Sequence, residues 1–135
     1  MSARRKARKR ALDFLYEADM RKQSALELSA SRPSDELSAG EYVDLLLRGV
    51  ADHQSKIDEL IVTYAQGWDL DRMPSIDRNL LRIALYEILY SDDLDDKIAV
   101  TEAVELAKEL STDESAGYIN GVLGRIIALK SALVL

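Results

Sequence analysis

This chain of 135 residues has no cysteine, a single histidine, one tryptophan and two prolines. Without thiols, it can have no disulfides, cysteine-ligated metals or thiol catalysis. Any Ser–His pair would have to use His53, and a metal site would rest on carboxylates alone. His53 stands in ADHQS and reads as a surface or capping side chain at a helix end. The acidic stretches SDDLDD and TDES lack the oxygen spacing and central glycine of a calcium loop, so they read as solvated loops. There is no Gly-rich phosphate loop, no pair of carboxylates at a catalytic spacing and no Ser/His/Asp arrangement. The expectation is a protein with no metal, no cofactor and no catalytic residue.

Long apolar runs are missing too. No stretch reaches the ~18 uninterrupted apolar residues of a membrane helix. The opening imitates a signal peptide, with basic residues followed by ALDFLY, but Asp13 and Glu17 interrupt the run and no small-residue cleavage site follows. A mitochondrial presequence avoids acids, which here come within two turns of the basic residues. These features point to a cytoplasmic protein that does not engage a membrane.

What is present is a helical pattern. Hydrophobic residues make up 47% of the chain, enough for a core, and a domain of ~150 residues buries roughly 68–70% of its unfolded surface. Proline occurs only at 33 and 74, and apolar positions recur at three- and four-residue steps, which is an all-α signature. The first helix is expected from about Ser2 to Lys22, burying Ala7, Ala11, Phe14, Leu15 and Ala18. Ser24 with Glu27 forms a capping box for a short second helix, and residues 29–35 read as a loop. A second box, Ser38 with Glu41, opens a helix with Tyr42, Leu45, Leu46 and Val50 in register. A separate helix near Lys56 carries Ile57, Leu60, Ile61 and Tyr64 and stops at Gly67. Pro74 suits the first turn of SIDRNLLRIALYEILY, whose density of aliphatics marks it as the central helix. Ala99, Ala103, Leu106, Ala107 and Leu110 form the buried stripe of the next, and Ser115 reads as the N-cap of a final helix starting near Ala116. The sum is about seven helices in one compact all-α domain spanning 1–135, with residues 1–10 a basic arm leading the first helix.

Charge is distributed unevenly. The chain carries a net −6, yet six of the seven residues from Arg4 to Arg10 are basic, so the first ten residues are +6 and the other 125 are −12. Such asymmetry points to a basic arm for a polyanion, set against the alternative of a solvated terminus. On a helix, Arg4, Arg8 and Ala11 share one line and Arg5, Lys9 and Leu12 another, with the cations directed outward. Each phosphate so neutralised adds about −0.7 to the log–log salt slope of single-strand binding. Tyr16 follows on the same face, either as a ring on which an unpaired base stacks, worth ~1–3 kcal/mol, or as a half-buried side chain against a neighbouring helix. Tyr118 lies near the N-terminus of the last helix, where free amides favour an anion, and is a second ring of this kind. Gly117, Gly121, Gly124 and Ala128 line one side of that helix. Each glycine costs a helix up to ~1 kcal/mol relative to alanine, so the stripe implies close approach by another helix or by a ligand backbone.

Three stretches, RRKARKRALDFLYEA, IDRNLLRIALYEI and VTEAVELAKELSTDESAGYINGVLG, together resemble the NusB family of bacterial transcription antitermination factors. The likeness covers nearly the whole chain and is weakest around residues 24–40. It implies an all-helical fold of two packed bundles. It also implies binding of the boxA element of nascent single-stranded RNA together with NusE, a protein of the small ribosomal subunit. The complex would load onto RNA polymerase and support antitermination, notably in ribosomal RNA operons. Matched by position, the RNA-facing residues would be Arg4, Arg5, Lys6, Arg8 and Lys9, with Tyr16, Glu114 and Tyr118. The NusE-facing residues would be Tyr16, Asp77 and Arg82. The same faces leave a homodimer open. Two other classes compete: a NusB-like module serving an RNA methyltransferase in trans, and a protein-interaction module whose arm binds an acidic protein.

Overall fold

The computed structural model describes residues 2–32 and 37–135, with 37–39 as backbone only. Among them are six α-helices and two 3-10 turns, and no strand. The helices are α1 (Ala3–Arg21), α2 (Ala25–Ser31), α3 (Leu37–Tyr64), α4 (Ser75–Tyr90), α5 (Asp96–Leu110) and α6 (Asp113–Ala128). The 3-10 turns are Leu70–Arg72 and Lys130–Ala132.

Local chemistry sets most of the boundaries. Ser2 Oγ accepts from the Arg5 amide and opens α1, so the basic residues are its first turns rather than a separate arm. Lys22 closes α1 in the left-handed region at φ 54°, where its amide reaches back to Ala18 O. Ser24 Oγ accepts from Glu27 N at 3.4 Å, the first half of the expected capping box. The expected loop at 29–35 is helical through Ser31, and its residues 33–35 lie outside those described. Ser38 is already helical, so it does not cap α3, and its side chain is likewise outside the described residues.

The largest departure is α3. Two helices with a break near Lys56 were expected, and one helix of 28 residues is found, about 42 Å long at 1.5 Å per residue. The polar run DHQSK holds the expected helix end, yet it contains neither glycine nor proline, and the apolar register passes through it. Val43, Leu46, Leu47 and Val50 continue as Ile57, Leu60 and Ile61 on the same stripe, all buried. His53 fills the interval, stacked on Tyr90 with ring centroids 3.6 Å apart and planes 10° from parallel. It is therefore a half-buried mid-helix residue, not a cap. Gly67, at φ 85°, turns the chain after α3 as expected.

α4 is central. From Asn79 to Ile88 every residue is buried, as in a helix surrounded by others. It packs against α1, α3, α5 and α6, while α1–α3 and α4–α6 also pack within themselves. This gives the two bundles implied by the family resemblance. Pro74 sits one residue earlier than expected, immediately before α4. α6 also starts earlier than expected: Thr112 Oγ1 accepts from Ser115 N at 2.9 Å and is the cap. Ser115 lies inside the helix, buried, and its hydroxyl donates to Asp77 Oδ2 at 2.7 Å. The glycine stripe does not mediate close packing. A Cβ would meet nothing within 4 Å at Gly117 or Gly124 and only Arg125 Nη1 at 3.5 Å at Gly121. The packed face of α6 is the one bearing Ala116, Ile119, Val122, Leu123 and Ile126.

Close approach occurs instead at Gly49 on α3, where an added Cβ would overlap the ring of Tyr86 on α4. Tyr86 is buried and cannot swing clear without disturbing its neighbours. Gly49→Ala should therefore destabilise the protein by about 1–3 kcal/mol, the usual cost of overpacking, despite alanine's better helix propensity. Urea unfolding of the variant measures this, and an increase in stability would show that the two helices separate freely.

Candidate nucleic-acid interface

The cations of α1 do not project freely. α1 runs antiparallel to α4: Arg8 meets Glu87 near the end of α4, while Asp19 meets Ser75 and Asn79 at its start. This alignment brings the basic turns beside α5. Arg4 Nη2 donates to Asp93 Oδ2 at 2.8 Å, and its guanidinium lies 4.6 Å from the centre of the Tyr42 ring. Arg5 holds Glu102 with two bonds, Nε to Oε2 at 2.6 Å and Nη2 to Oε1 at 3.1 Å. Lys9 Nζ donates to Glu109 Oε1 at 2.6 Å. Lys6 is exposed, and Arg10 donates to Arg32 O at 2.9 Å.

Exposure separates these pairs. In Arg4–Asp93 the side chains are 42% and 64% exposed, and in Lys9–Glu109 36% and 44%. Exposed pairs are worth only about 0–1 kcal/mol, so both open at little cost. Arg5–Glu102 is intermediate. Arg8–Glu87 is closed, at 4% and 1%. Arg8 reaches Glu87 through Nε at 2.9 Å and Nη2 at 2.8 Å, and the Tyr42 hydroxyl donates to the same carboxylate.

Arg8 was expected to face outward and does not. It lies three residues before Ala11 and four before Leu12, both fully buried, and is drawn inward with them. Burial alone would lower the Arg8 pKa, but Glu87 outweighs it and raises it. The Tyr42 phenol is pushed well up, first by burial and then by its bond to Glu87, and so stays a donor. Asp93 is held below the usual carboxylate range by the bonds from Arg4 and Ser91.

The other expected site residues divide by burial. Tyr16 is 41% exposed, with Met20 exposed one turn further along α1. Glu114 is exposed in the first turn of α6. Tyr118 is half-buried, its ring 4.7 Å from that of Trp68 and tilted by 59°, with its hydroxyl donating to Gln66 O at 3.4 Å. Asp77 and Arg82, expected to face a protein partner, are buried instead. Asp77 receives the Ser115 hydroxyl, and its Oδ1 has no partner in the described structure. Arg82 clasps Asp58 of α3 with bonds of 2.9 and 3.0 Å and donates to Asn79 Oδ1 at 3.0 Å. Asn79 and Arg78 in turn donate to Asp19 of α1, at 2.9 and 2.7 Å. Hydrogen bonds from Arg78, Asn79 and Ser75 outweigh the burial of Asp19 and lower its pKa.

Sequence reasoning missed the acids that answer the cations. Asp93 lies in SDDLDD, which reads as a solvated loop, and Glu102 and Glu109 carry no expectation beside the buried stripe of their helix. The available signal was the spacing of Glu102, Glu105 and Glu109, which places three carboxylates on one stripe of α5. Asp95 and Asp96 also have duties: Asp95 caps α5 through the Lys97 amide, and Asp96 pairs with Lys130 at 3.0 Å. No group of three or more His, Cys, Asp or Glu residues suited to a metal occurs among the described residues. Among the described residues no helix is long and apolar enough to cross a membrane.

Two packed helical bundles with a row of cations on the first helix place the chain among small all-helical proteins of one recognisable architecture. A family model described as the NusB family matches residues 5–128. The chain belongs to that family. It is 53% identical to the transcription antitermination protein NusB of Salinispora arenicola over 132 residues, covering 93% of this chain and 96% of that one. The NusB of an Arthrobacter species is also 53% identical, with 99% of each chain covered. Among solved structures, T. maritima NusB superposes with a TM-score of 0.86 at 30% identity, covering 96% of this chain and 97% of its own. A crystal structure of the antitermination factors NusB and NusE in complex with double-stranded RNA includes a chain that matches with a TM-score of 0.83 at 26% identity, covering 95% and 98%.

Two outcomes are expected from these contacts. Glu87→Gln removes the hydrogen-bonded counter-charge of buried Arg8, leaving only Glu102 at 3.9 Å, and should cost about 3–5 kcal/mol of stability; equilibrium unfolding measures it, and a loss below ~1 kcal/mol would mean that Glu102 or water satisfies Arg8. Tyr118→Ala removes the ring beside the only tryptophan, so Trp68 emission should shift in the folded protein and stability should fall by about 1–3 kcal/mol. Unchanged emission would show that the two rings are not in contact in solution.

Proposed function

We propose that this chain is a transcription antitermination factor that binds the boxA RNA of nascent transcripts, notably of ribosomal RNA operons, in a complex with NusE. That complex acts on elongating RNA polymerase. The observation that carries the reading is the solvent-facing edge of α1, where Arg4, Arg5, Lys6 and Lys9 stand in successive turns of an otherwise acidic protein. Phosphate contacts to these four position the strand, and stacking with base-edge contacts specifies it. Tyr16, Tyr118 and Glu114 supply the second kind of contact. Arg8, sunk behind them, fixes α1 in place through Glu87 rather than meeting a phosphate itself.

The partner face in this reading centres on exposed Tyr16 and Met20 of α1. Asp77 and Arg82 act from beneath it by fixing α6 and α3 to α4. The −12 charge on residues 11–135 favours a basic protein there. No catalytic step belongs to this function, and its place is the bacterial cytoplasm, where transcripts are made. The methyltransferase-serving module is the weaker reading, because relatives aligned over nearly their full length carry the antitermination name.

A gel shift with boxA single-stranded RNA, with and without NusE, tests the proposal. Arg4→Gln combined with Lys9→Gln should weaken RNA binding about tenfold at moderate salt and reduce the magnitude of the log–log salt slope by about 1.4, two single-strand contacts' worth. Thermal stability should barely change, since only exposed pairs are lost. An unaltered slope in the double variant would remove this edge of α1 from the RNA site.

A further inference from the structure

Arg4, Arg5 and Lys9 of α1 are already occupied by carboxylates before any RNA arrives. Arg4, Arg5 and Lys9 are held by Asp93, Glu102 and Glu109 at 2.8, 2.6 and 2.6 Å. Glu102, Glu105 and Glu109 recur at three- and four-residue steps along one stripe of α5. Glu102 also lies 3.9 Å from Arg8 Nη1, which ties it to the buried pair below. All of these acids belong to the α4–α5 turn or to α5, and the cations they hold belong to α1. Two elements far apart in sequence thus present charges of opposite sign along a shared edge.

We propose that this acidic ridge of α5 is a built-in competitor for RNA, setting how tightly any strand can bind to α1. The inference rests on the reading of α1 as the phosphate-binding helix. A phosphate that takes Lys9 or Arg4 must displace Glu109 or Asp93, and a displaced carboxylate cannot diffuse away because its helix is packed in the fold. It stays well within the Debye length of about 10 Å at 0.1 M salt and goes on repelling the strand. The ridge therefore costs RNA twice, once in breaking the pair and again in residual repulsion. Both costs are independent of base sequence, so the ridge lowers affinity for every RNA by the same factor. A strand with only phosphate contacts then falls below useful affinity, while one with additional base contacts stays above it. The exposures grade the effect: Asp93 and Glu109 yield most easily, and Glu102, with its side chain 14% exposed, stays in place longest.

The test is fluorescence anisotropy with two labelled single-stranded RNAs, boxA and a scrambled strand of equal length, across a salt series, with NusE and without it. The principal variant is Asp93→Asn combined with Glu109→Gln, both exposed and safe for folding. Glu102→Gln is the second variant and reports on the more buried position. Each should bind both RNAs about two- to tenfold more tightly than the parent, the range expected for releasing one or two exposed pairs. The factor should be equal for the two RNAs, and the salt dependence should steepen, because no displaced carboxylate is left to take up cations from solution. If the parent binds boxA but the variants bind no tighter, the ridge is overturned while the RNA-binding reading stands. A gain confined to boxA would also overturn it, since that would be a base contact and not a competitor. If neither parent nor variant binds either RNA in any condition, both readings fall together.

Discussion

The fold hangs on one ion pair that water does not reach. Arg8 of α1 and Glu87 of α4 are both buried, and Tyr42 of α3 donates to the same carboxylate, so three helices meet at one pair of charges. A charge taken out of water is tolerated only with a counter-charge and hydrogen bonds to satisfy it. That requirement permits only a narrow range of rotations of α1 about its own axis. With Arg8 turned inward, Arg4, Arg5 and Lys9 are placed along the edge facing α5, and Tyr16 emerges two turns beyond Arg8. The orientation of the cation row therefore follows from a residue that does not belong to the row's exposed surface.

A second polar cluster does the same at the opposite end of the molecule. Asp19, Asp58, Arg78, Asn79 and Arg82 join α1, α3 and α4 through bonds of 2.7 to 3.0 Å. With Arg8–Glu87 at one end of α4 and this network at the other, α1 and α4 are pinned at two points and their antiparallel register is fixed. Apolar packing between the pins supplies the bulk of the stabilisation but would accept several registers. The polar contacts select one of them.

Much of this was legible in the sequence. The all-α class, the central helix, the Ser24 N-cap and the break at Gly67 followed from periodicity and local hydrogen-bonding chemistry, which depend on near neighbours. What escaped depended on residues far along the chain. Arg8 looked like its neighbours because a helical wheel does not reveal that Glu87 waits opposite. ADHQS looked like a helix end because polarity implies exposure, whereas His53 is covered by Tyr90 from another helix. The glycines of α6 suggested close packing, yet the close approach belongs to Gly49, which has no second glycine three or four residues away to mark a stripe. Asp77 and Arg82 were placed correctly on the central helix, but how deep they lie depends on α3 and α6.

The pairs that neutralise α1 also have a history during synthesis. Glu87, Asp93, Glu102 and Glu109 follow their cationic partners by 79, 89, 97 and 100 positions. At ~5–20 residues per second, the first helix spends roughly 5–20 s as an unanswered row of positive charge before its counter-ions exist. Throughout that interval the nascent chain is tethered to the largest polyanion in the cell, the ribosome itself. The row of cations on the first helix is thus answered within its own chain only when the fifth helix is complete.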